Sequence, residues 1–329
     1  MIQVSTLLTP SLPTYTPPAG ELLLPRALPP GGTLGIVAPA SPVNPEHFEK
    51  GLNELRRHGY RIELGRHVLS TYGHLAGPDE ARAADLHEMF VRDDVDAILC
   101  ARGGSGAIRL LPHLDWELIR ANPKPFLGYS DITILELAML KRSGLVSFFA
   151  PMVASDFAHS PSEGCLEILW RTVCSPEPAG ELLDCRCSDA ETLVGGVAEG
   201  RCVGGTLSLI VPTLGTPYEI DTDDCILFLE DVHESPARVE RYLMQLLLAG
   251  KLDRAAGFLI GNTPYDGDDH DHYLPIPQIY QDLLVPLGKP LVHAWPVGHD
   301  PSPITLPMGV RVRLDADRKS VSVLDPAVC

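Results

Sequence analysis

Short apolar runs alternate with amphipathic segments from residue 33 to about residue 140, and this alternation restricts the chain to few folds. Thr33-Leu34-Gly35-Ile36-Val37-Ala38-Pro39 reads as a buried first strand. Pro45 to His58 has helical periodicity, and Gly59 is placed to close that helix. Arg61-Ile62-Glu63-Leu64-Gly65 reads as a second strand, and Asp79 to Val91 as a helix with Leu86, Met89 and Phe90 on its apolar face. Ala97-Ile98-Leu99-Cys100-Ala101 and Phe126-Leu127-Gly128 are the third and fourth strands, and Ile132 to Leu140 the next helix. Strands and helices in strict alternation predict the α/β class, with a doubly wound, mostly parallel sheet. Ligand sites in such sheets lie beyond the carboxyl ends of the strands. Arg102-Gly103-Gly104-Ser105-Gly106 and Gly128-Tyr129-Ser130-Asp131 both fall there.

The pattern changes after about Ala158. A helix from Glu163 to Val173 leads into a segment bearing proline and cysteine. From Leu193 onward shorter, glycine-rich β runs follow: Gly200 to Val203, Ile226 to Leu229, Gly257 to Gly261 and Val310 to Leu314. One helix interrupts them, Ala237 to Ala249, closed by Gly250; its Val239, Tyr242, Leu243, Leu246 and Leu247 share a face suited to core packing or to a dimer contact. The expected organisation is an extended arm over residues 1–30, an α/β domain over 31–160, a linker over 161–190 and a β-rich domain over 191–329. A length of 329 residues fits one large or two ordinary domains.

Composition removes several functions. The net charge of −17, with no basic run, argues against nucleic acid or an anionic membrane as partner. No apolar stretch approaches the ~20 residues of a membrane span. Met1 to Pro30 is rich in proline and lacks a basic n-region, so it reads as a loose, partly extended arm rather than a signal peptide. The eight cysteines include no C-x-x-C spacing, and Cys185-Arg186-Cys187 is too isolated for a zinc site. Cys100 and Cys225 lie in strand-like runs, where a thiol packs as a small hydrophobe; a reduced cytoplasm fits this usage. Asp266-Gly267-Asp268-Asp269-His270-Asp271-His272 lacks calcium-loop spacing and reads as an exposed acidic loop, so no metal is expected.

Chemistry concentrates in four places. Gly128-Tyr129-Ser130-Asp131, between a strand and a helix, is where a nucleophile elbow would lift a hydroxyl clear of the sheet. The G-x-S-x-G pattern is not met, because position 132 is isoleucine, and the same residues also fit a turn with Ser130 or Asp131 as helix N-cap. The Arg102–Gly106 loop can bring amides close to an oxyanion, since glycine removes the Cβ barrier. It does not match G-x-G-x-x-G, which disfavours a dinucleotide. Ile226 to Glu234 is an apolar run ending in carboxylates, and such a carboxylate can orient a catalytic imidazole; nothing local selects Glu230 over Asp231 or Glu234. His299, in Val297-Gly298-His299-Asp300-Pro301, sits on a loop free to project into a cleft. The order Ser, acid, His is one used by triad enzymes.

Together these residues resemble the LD-carboxypeptidase family of serine peptidases, which also contains the microcin C self-immunity peptidases. The similarity runs from about Gly32 to Leu314. Its strongest blocks are Gly77 to Leu86, Ala101 to Gly106, Pro123 to Asp131, Gly204-Gly205-Thr206-Leu207-Ser208, Leu227 to Asp231, Gly298-His299 and Leu306-Pro307-Met308-Gly309. The resemblance implies a Rossmann-like N-terminal domain with a parallel sheet, a smaller β-rich swivelling C-terminal domain, and a homodimer. It implies a triad of Ser130 as nucleophile, Glu230 as acid and His299 as base. It also implies an oxyanion hole from the N–H of Asp131 and of Gly103 or Gly104.

The implied reaction removes the terminal D-alanine of a murein tetrapeptide, with no cofactor, during peptidoglycan recycling. The substrate carboxylate calls for a cation or amide donors, with Arg102 and Arg238 as candidates and Ser105 as a further contact. Two positions depart from the family: Ser105 replaces the usual aromatic, and Phe149-Ala150-Pro151 stands where His-Gly-Pro is common. The alternative within the family is cleavage of a peptidyl-nucleotide such as processed microcin C. A glutamine-amidotransferase-like enzyme would need cysteine at position 130, and a catalytically silent ligand-binding protein would not need the three triad types.

Overall fold

The computed structural model describes residues 22–184, 189–265, 267, 272–301 and 303–329. Its first half alternates as the sequence predicts: β1 (Thr33–Val37), α1 (Pro45–Arg57), β2 (Arg61–Leu64), α2 (Asp79–Val91), β3 (Ala97–Cys100), α3 (Trp116–Ala121), β4 (Phe126–Gly128), α4 (Thr133–Ser143), β5 (Phe148–Phe149) and α5 (Glu163–Cys174). Local signals set the helix ends. Asn44 accepts the N–H groups of Glu46 and His47 at 2.9 and 3.1 Å, and Pro45 occupies the first turn, where its missing N–H costs nothing. Gly59 follows α1 at φ +89°, a conformation open to glycine. Phe48, Leu52 and Leu55 form the buried stripe of α1.

Strands β5, β4, β3, β1 and β2 lie side by side and parallel. All five residues of β1 are buried, as expected for a central strand covered on both faces. The carboxyl ends of β3 and β4 therefore carry the glycine loop and the Ser130 turn to one edge of the sheet.

The second half adds β6 (Gly180–Asp184), β7 (Glu191–Val194), β8 (Val197–Thr206), α6 (Leu207–Ile210), β9 (Cys225–Glu230), α7 (Pro236–Leu248), α8 (Lys251–Arg254), β10 (Gly257–Gly261), α9 (Ile276–Leu283), β11 (Leu291–Trp295), β12 (Leu306–Pro307), β13 (Arg311–Asp315) and β14 (Ser320–Val323). These strands form an eight-stranded sheet in the order β6-β14-β13-β8-β9-β10-β11-β7, leaving out β12. Its middle strands, β8 to β11, are parallel, with antiparallel strands at the edges. The register of β8 on β9 sets Thr206 opposite Glu230.

Three details differ from the sequence reading. Residues 22–30 are not loose: Leu23 donates to the Gly144 carbonyl at 2.8 Å, Leu28 to Val173 at 2.9 Å, and Ala27 to the C-terminal Cys329 at 3.0 Å. Leu28 is wholly buried, so the apolar residues between the prolines hold this stretch to the body; residues 1–21 lie outside the described residues. The expected linker contains β6, which pairs with β14 of the second sheet. Strand β12 leaves the second half to pair with β5, extending the first sheet to six strands. Strand β12, of two residues, is too short for a periodicity that sequence can register. Cys100, Cys165, Cys174, Cys202, Cys225 and Cys329 are free thiols, while Cys185 and Cys187 lie outside the described residues. Among the described residues no helix is long and apolar enough to cross a membrane.

Helix α4 is buried on nearly every side from Thr133 to Met139, and β8 and α3 are among the elements packed against it. Glu136 is sealed in, with no hydrogen-bond partner for either carboxyl oxygen among the described residues. Burial pushes its pKa well above the usual carboxylate range, which favours the protonated form in the fold. In the unfolded chain it ionises above about pH 4.3, and each further rise in pH then favours unfolding. Glu136→Met should raise stability by about 1–3 kcal/mol at pH 8. The gain should shrink near pH 4, where the unfolded carboxyl too is mostly protonated; urea denaturation at the two pH values checks both parts.

Candidate active site

Ser130 lies where β4 gives way to α4, at φ +65°. A non-glycine residue in this left-handed region is strained by about 1–3 kcal/mol and persists only where its surroundings fix it. The N-cap alternative does not hold, because neither Ser130 nor Asp131 caps α4 through its side chain. Asp131 instead turns away and accepts the Ala107 N–H at 2.7 Å. Burial pushes the Asp131 carboxyl up, and the Ala107 N–H and the Arg82 charge only partly offset this.

The same carboxylate helps to hold the glycine loop. Arg82, itself buried, pairs with Asp79 and donates to the carbonyls of Pro39 and Gly106. Gly103 passes so close to Ser130 that a Cβ there would lie 2.7 Å from Ser130 Cβ and 3.3 Å from the Asp131 nitrogen. Gly104 faces Ser41, whose Oγ accepts the Ser105 N–H at 3.0 Å. The loop and the Asp131 amide thus lie together beside Ser130.

Glu230 ends β9, and its side chain is fully buried. Its Oε2 accepts His299 Nδ1 at 2.7 Å and the His299 backbone N–H at 3.2 Å, and its Oε1 accepts the Thr206 hydroxyl. His299 Nε2 is 3.2 Å from Ser130 Oγ. A carboxylate at Nδ1 draws the ring proton there, which leaves Nε2 free to accept from the serine hydroxyl. Burial pushes the His299 pKa down, but the Glu230 hydrogen bond and charge, with Asp231 and Asp156 behind them, outweigh it and leave the imidazole above its usual value. The other two carboxylates left open by the sequence are engaged elsewhere. Asp231 accepts from the Ser208 and Val232 N–H groups at 2.7 and 2.9 Å, and burial pushes it up to about 6. Glu234 pairs with Arg238.

A cleft of about 410 Å³ opens beside His299, lined by Tyr129, Asp156, His159, Asp300 and neighbouring residues. The Tyr129 ring stands edge to face on the imidazole, with centroids 5.1 Å apart, and its hydroxyl donates to Asp156 at 3.2 Å. Asp156 also accepts the Met152 N–H at 2.8 Å, and burial pushes it up to about 6. Arg102, Ser105 and Arg238 do not line this cleft. The Arg102 guanidinium donates to the carbonyls of Gly103 and Pro42, Ser105 is exposed on the loop, and Arg238 is on the surface of α7. Sequence reasoning gave no role to Asp156, Ser41, Arg82 or Thr206. Arg82 and Thr206 stand within quoted blocks, but only the folded contacts reveal their partners. His270 of the acidic loop lies outside the described residues.

Gly298, at φ +79°, lets the loop run directly over Glu230: a Cβ there would lie 2.3 Å from Glu230 Cδ. Gly298→Ala should therefore displace either the carboxylate or the loop and break the His299 contact. Labelling of Ser130 by a fluorophosphonate should slow at least 100-fold, with the far-ultraviolet circular dichroism of the fold retained.

Residues 34–150 match the model of the LD-carboxypeptidase N-terminal domain, and residues 199–314 that of its C-terminal domain. A Bacillus subtilis protein named probable murein peptide carboxypeptidase is 37% identical over 303 residues, spanning 91% of this chain and 93% of its own. The murein tetrapeptide carboxypeptidase of Pseudomonas aeruginosa is 33% identical, spanning 87% and 94%. Among solved structures, the muramoyltetrapeptide carboxypeptidase of Oxalobacter formigenes superposes with a TM-score of 0.76 at 30% identity, over 88% of this chain and 97% of its own. The microcin C7 self-immunity protein MccF superposes with a TM-score of 0.85 at 24% identity, over 93% and 100%, a likeness of fold. The chain belongs to the LD-carboxypeptidase family and is a serine-type carboxypeptidase, a hydrolase.

Proposed function

We propose that the protein removes the terminal D-alanine from murein tetrapeptides, as an LD-carboxypeptidase acting through Ser130, His299 and Glu230. The observation that carries this reading is the hydrogen-bonded series from Ser130 Oγ to His299 Nε2, and from His299 Nδ1 to a buried Glu230. The names of the Bacillus and Pseudomonas relatives support the substrate.

In this reading His299 takes the proton of Ser130 as the hydroxyl attacks the scissile carbonyl. Glu230 stabilises the imidazolium and keeps the ring oriented. Amides of Asp131 and of Gly103 or Gly104 receive the oxyanion, where loss of one donor costs about 2.7–4 kcal/mol of barrier. Protonated His299 then gives its proton to the departing D-alanine amine. Water, deprotonated by the same imidazole, releases the shortened peptide from the acyl-enzyme. Every step uses side chains and amides of this chain.

Arg102 and Ser105, on the loop beside the nucleophile, are the proposed contacts for the substrate carboxylate and backbone. The reading includes work within peptidoglycan recycling, a cytoplasmic setting in which the free thiols persist, and the homodimer that the family resemblance implies.

Mass spectrometry with L-Ala-D-Glu-mDAP-D-Ala tests this function. Wild type should release one alanine, and Ser130→Ala none; retained release by Ser130→Ala would overturn it. No release by wild type, with a fluorophosphonate still labelling Ser130, would move the substrate to peptidyl-nucleotides or other amides. Because the base must be neutral, kcat/KM should rise with pH through a value above about 6.5. Glu230→Gln should lower that value and reduce kcat by about 10²–10⁴-fold.

A further inference from the structure

The Gly204-Gly205-Thr206 block has no part in the reaction as described, yet it reaches the buried acid. Thr206 closes β8 opposite Glu230 on β9, and its hydroxyl donates to Glu230 Oε1, the oxygen that His299 does not use. Thr206 is in turn held by the helix that follows the nucleophile. Its backbone N–H donates to Thr133 Oγ1 at 3.1 Å, and the Thr133 hydroxyl points back at Thr206 Oγ1 at 3.5 Å. Thr133, Thr206 and Glu230 are all buried, with exposures of 0, 2 and 1%. Gly205 makes the approach possible, since a Cβ there would lie 2.4 Å from Thr133 Cγ2.

We propose that Thr206 is a positioning residue of the active site: its hydroxyl fixes the rotation of the Glu230 carboxylate and shares its charge, and its link to Thr133 ties that setting to the first residue of the helix that follows Ser130. The inference rests on the triad reading of the same site. A carboxylate with both oxygens engaged has one orientation, so Oε2 stays aimed at Nδ1. Without the hydroxyl, Oε1 is left buried and unpaired, and only His299 still fixes the rotation of the carboxylate. The charge that remains on Oε2 would hold the imidazolium more strongly and raise the pKa of His299. The other ionisable groups facing the ring or the carboxylate are Asp156, Asp231, Tyr129 and Tyr280, and a change at Thr206 leaves all four in place.

The test is the rate of Ser130 labelling by a fluorophosphonate against pH, in the full chain. In that reaction the serine oxygen bonds to phosphorus, fluoride leaves and His299 takes the proton, so no natural substrate need be known. Wild type and His299→Ala come first; a rate unchanged by His299→Ala would refute the triad itself and be read apart from Thr206. With the triad intact, Thr206→Val, of nearly the same shape, should label at least tenfold more slowly, and its rising limb should move to higher pH. Thr206→Ser should restore most of the rate and the wild-type limb. Thr206→Ala serves as the second hydroxyl-free variant, and thermal melting identifies any variant that fails to fold. An unchanged rate and limb in folded Thr206→Val or Thr206→Ala would overturn the proposal. So would equal losses in Thr206→Ser and Thr206→Val, which would assign the effect to packing.

Discussion

The arrangement depends on one buried charge. Taking a carboxylate out of water costs several kcal/mol unless donors replace the lost solvent. Glu230 has three: the Thr206 hydroxyl, the His299 ring and the His299 backbone. They come from a neighbouring parallel strand and from a loop that only glycine at position 298 allows so near. The second sheet thus delivers a solvated-looking geometry to an interior site. An imidazole bound to such a carboxylate has a fixed tautomer and a raised affinity for the proton. Both are what a general base for a serine hydroxyl needs.

The first sheet supplies the partner under strain. Ser130 is held in a left-handed conformation at the end of a parallel strand. Asp131 and Arg82 secure the glycine loop beside it, one through the Ala107 amide and the other through the Gly106 and Pro39 carbonyls. The proposed base and the proposed nucleophile therefore come from separate halves of the chain, and their 3.2 Å contact depends on how the two sheets meet. Thr133 and Thr206 lie on that junction, as does β12, which leaves the second half of the chain to join the first sheet.

Much of this was legible in the sequence. Helix α2 begins and ends at the residues its amphipathic pattern marks, and β10 likewise, because long periodic segments and glycine-bounded apolar runs carry their own boundaries. Ser130 could be singled out at a strand end, and His299 on a glycine-proline loop. Glu230 could not be separated from Asp231 and Glu234, since alternation along a strand does not say which carboxylate meets an imidazole 69 residues away. Folding decides it: Asp231 turns to the amides after β8, and Glu234 to a surface arginine. Strands β6 and β12, Asp156 in the cleft and the Thr206 contact were hidden for the same reason. Each is defined by a long-range partner, and local residue pattern holds no record of it.

The central claim is that a buried Glu230 sets the state of His299. Nitrogen-15 NMR of the histidine side chains across a pH titration, with His299→Ala to assign the signal, measures that state directly. The account predicts a neutral ring protonated at Nδ1, with a pKa above about 6.5 that falls when Glu230 is replaced by glutamine. A neutral ring protonated at Nε2, or a pKa below that value and indifferent to Glu230, would contradict it.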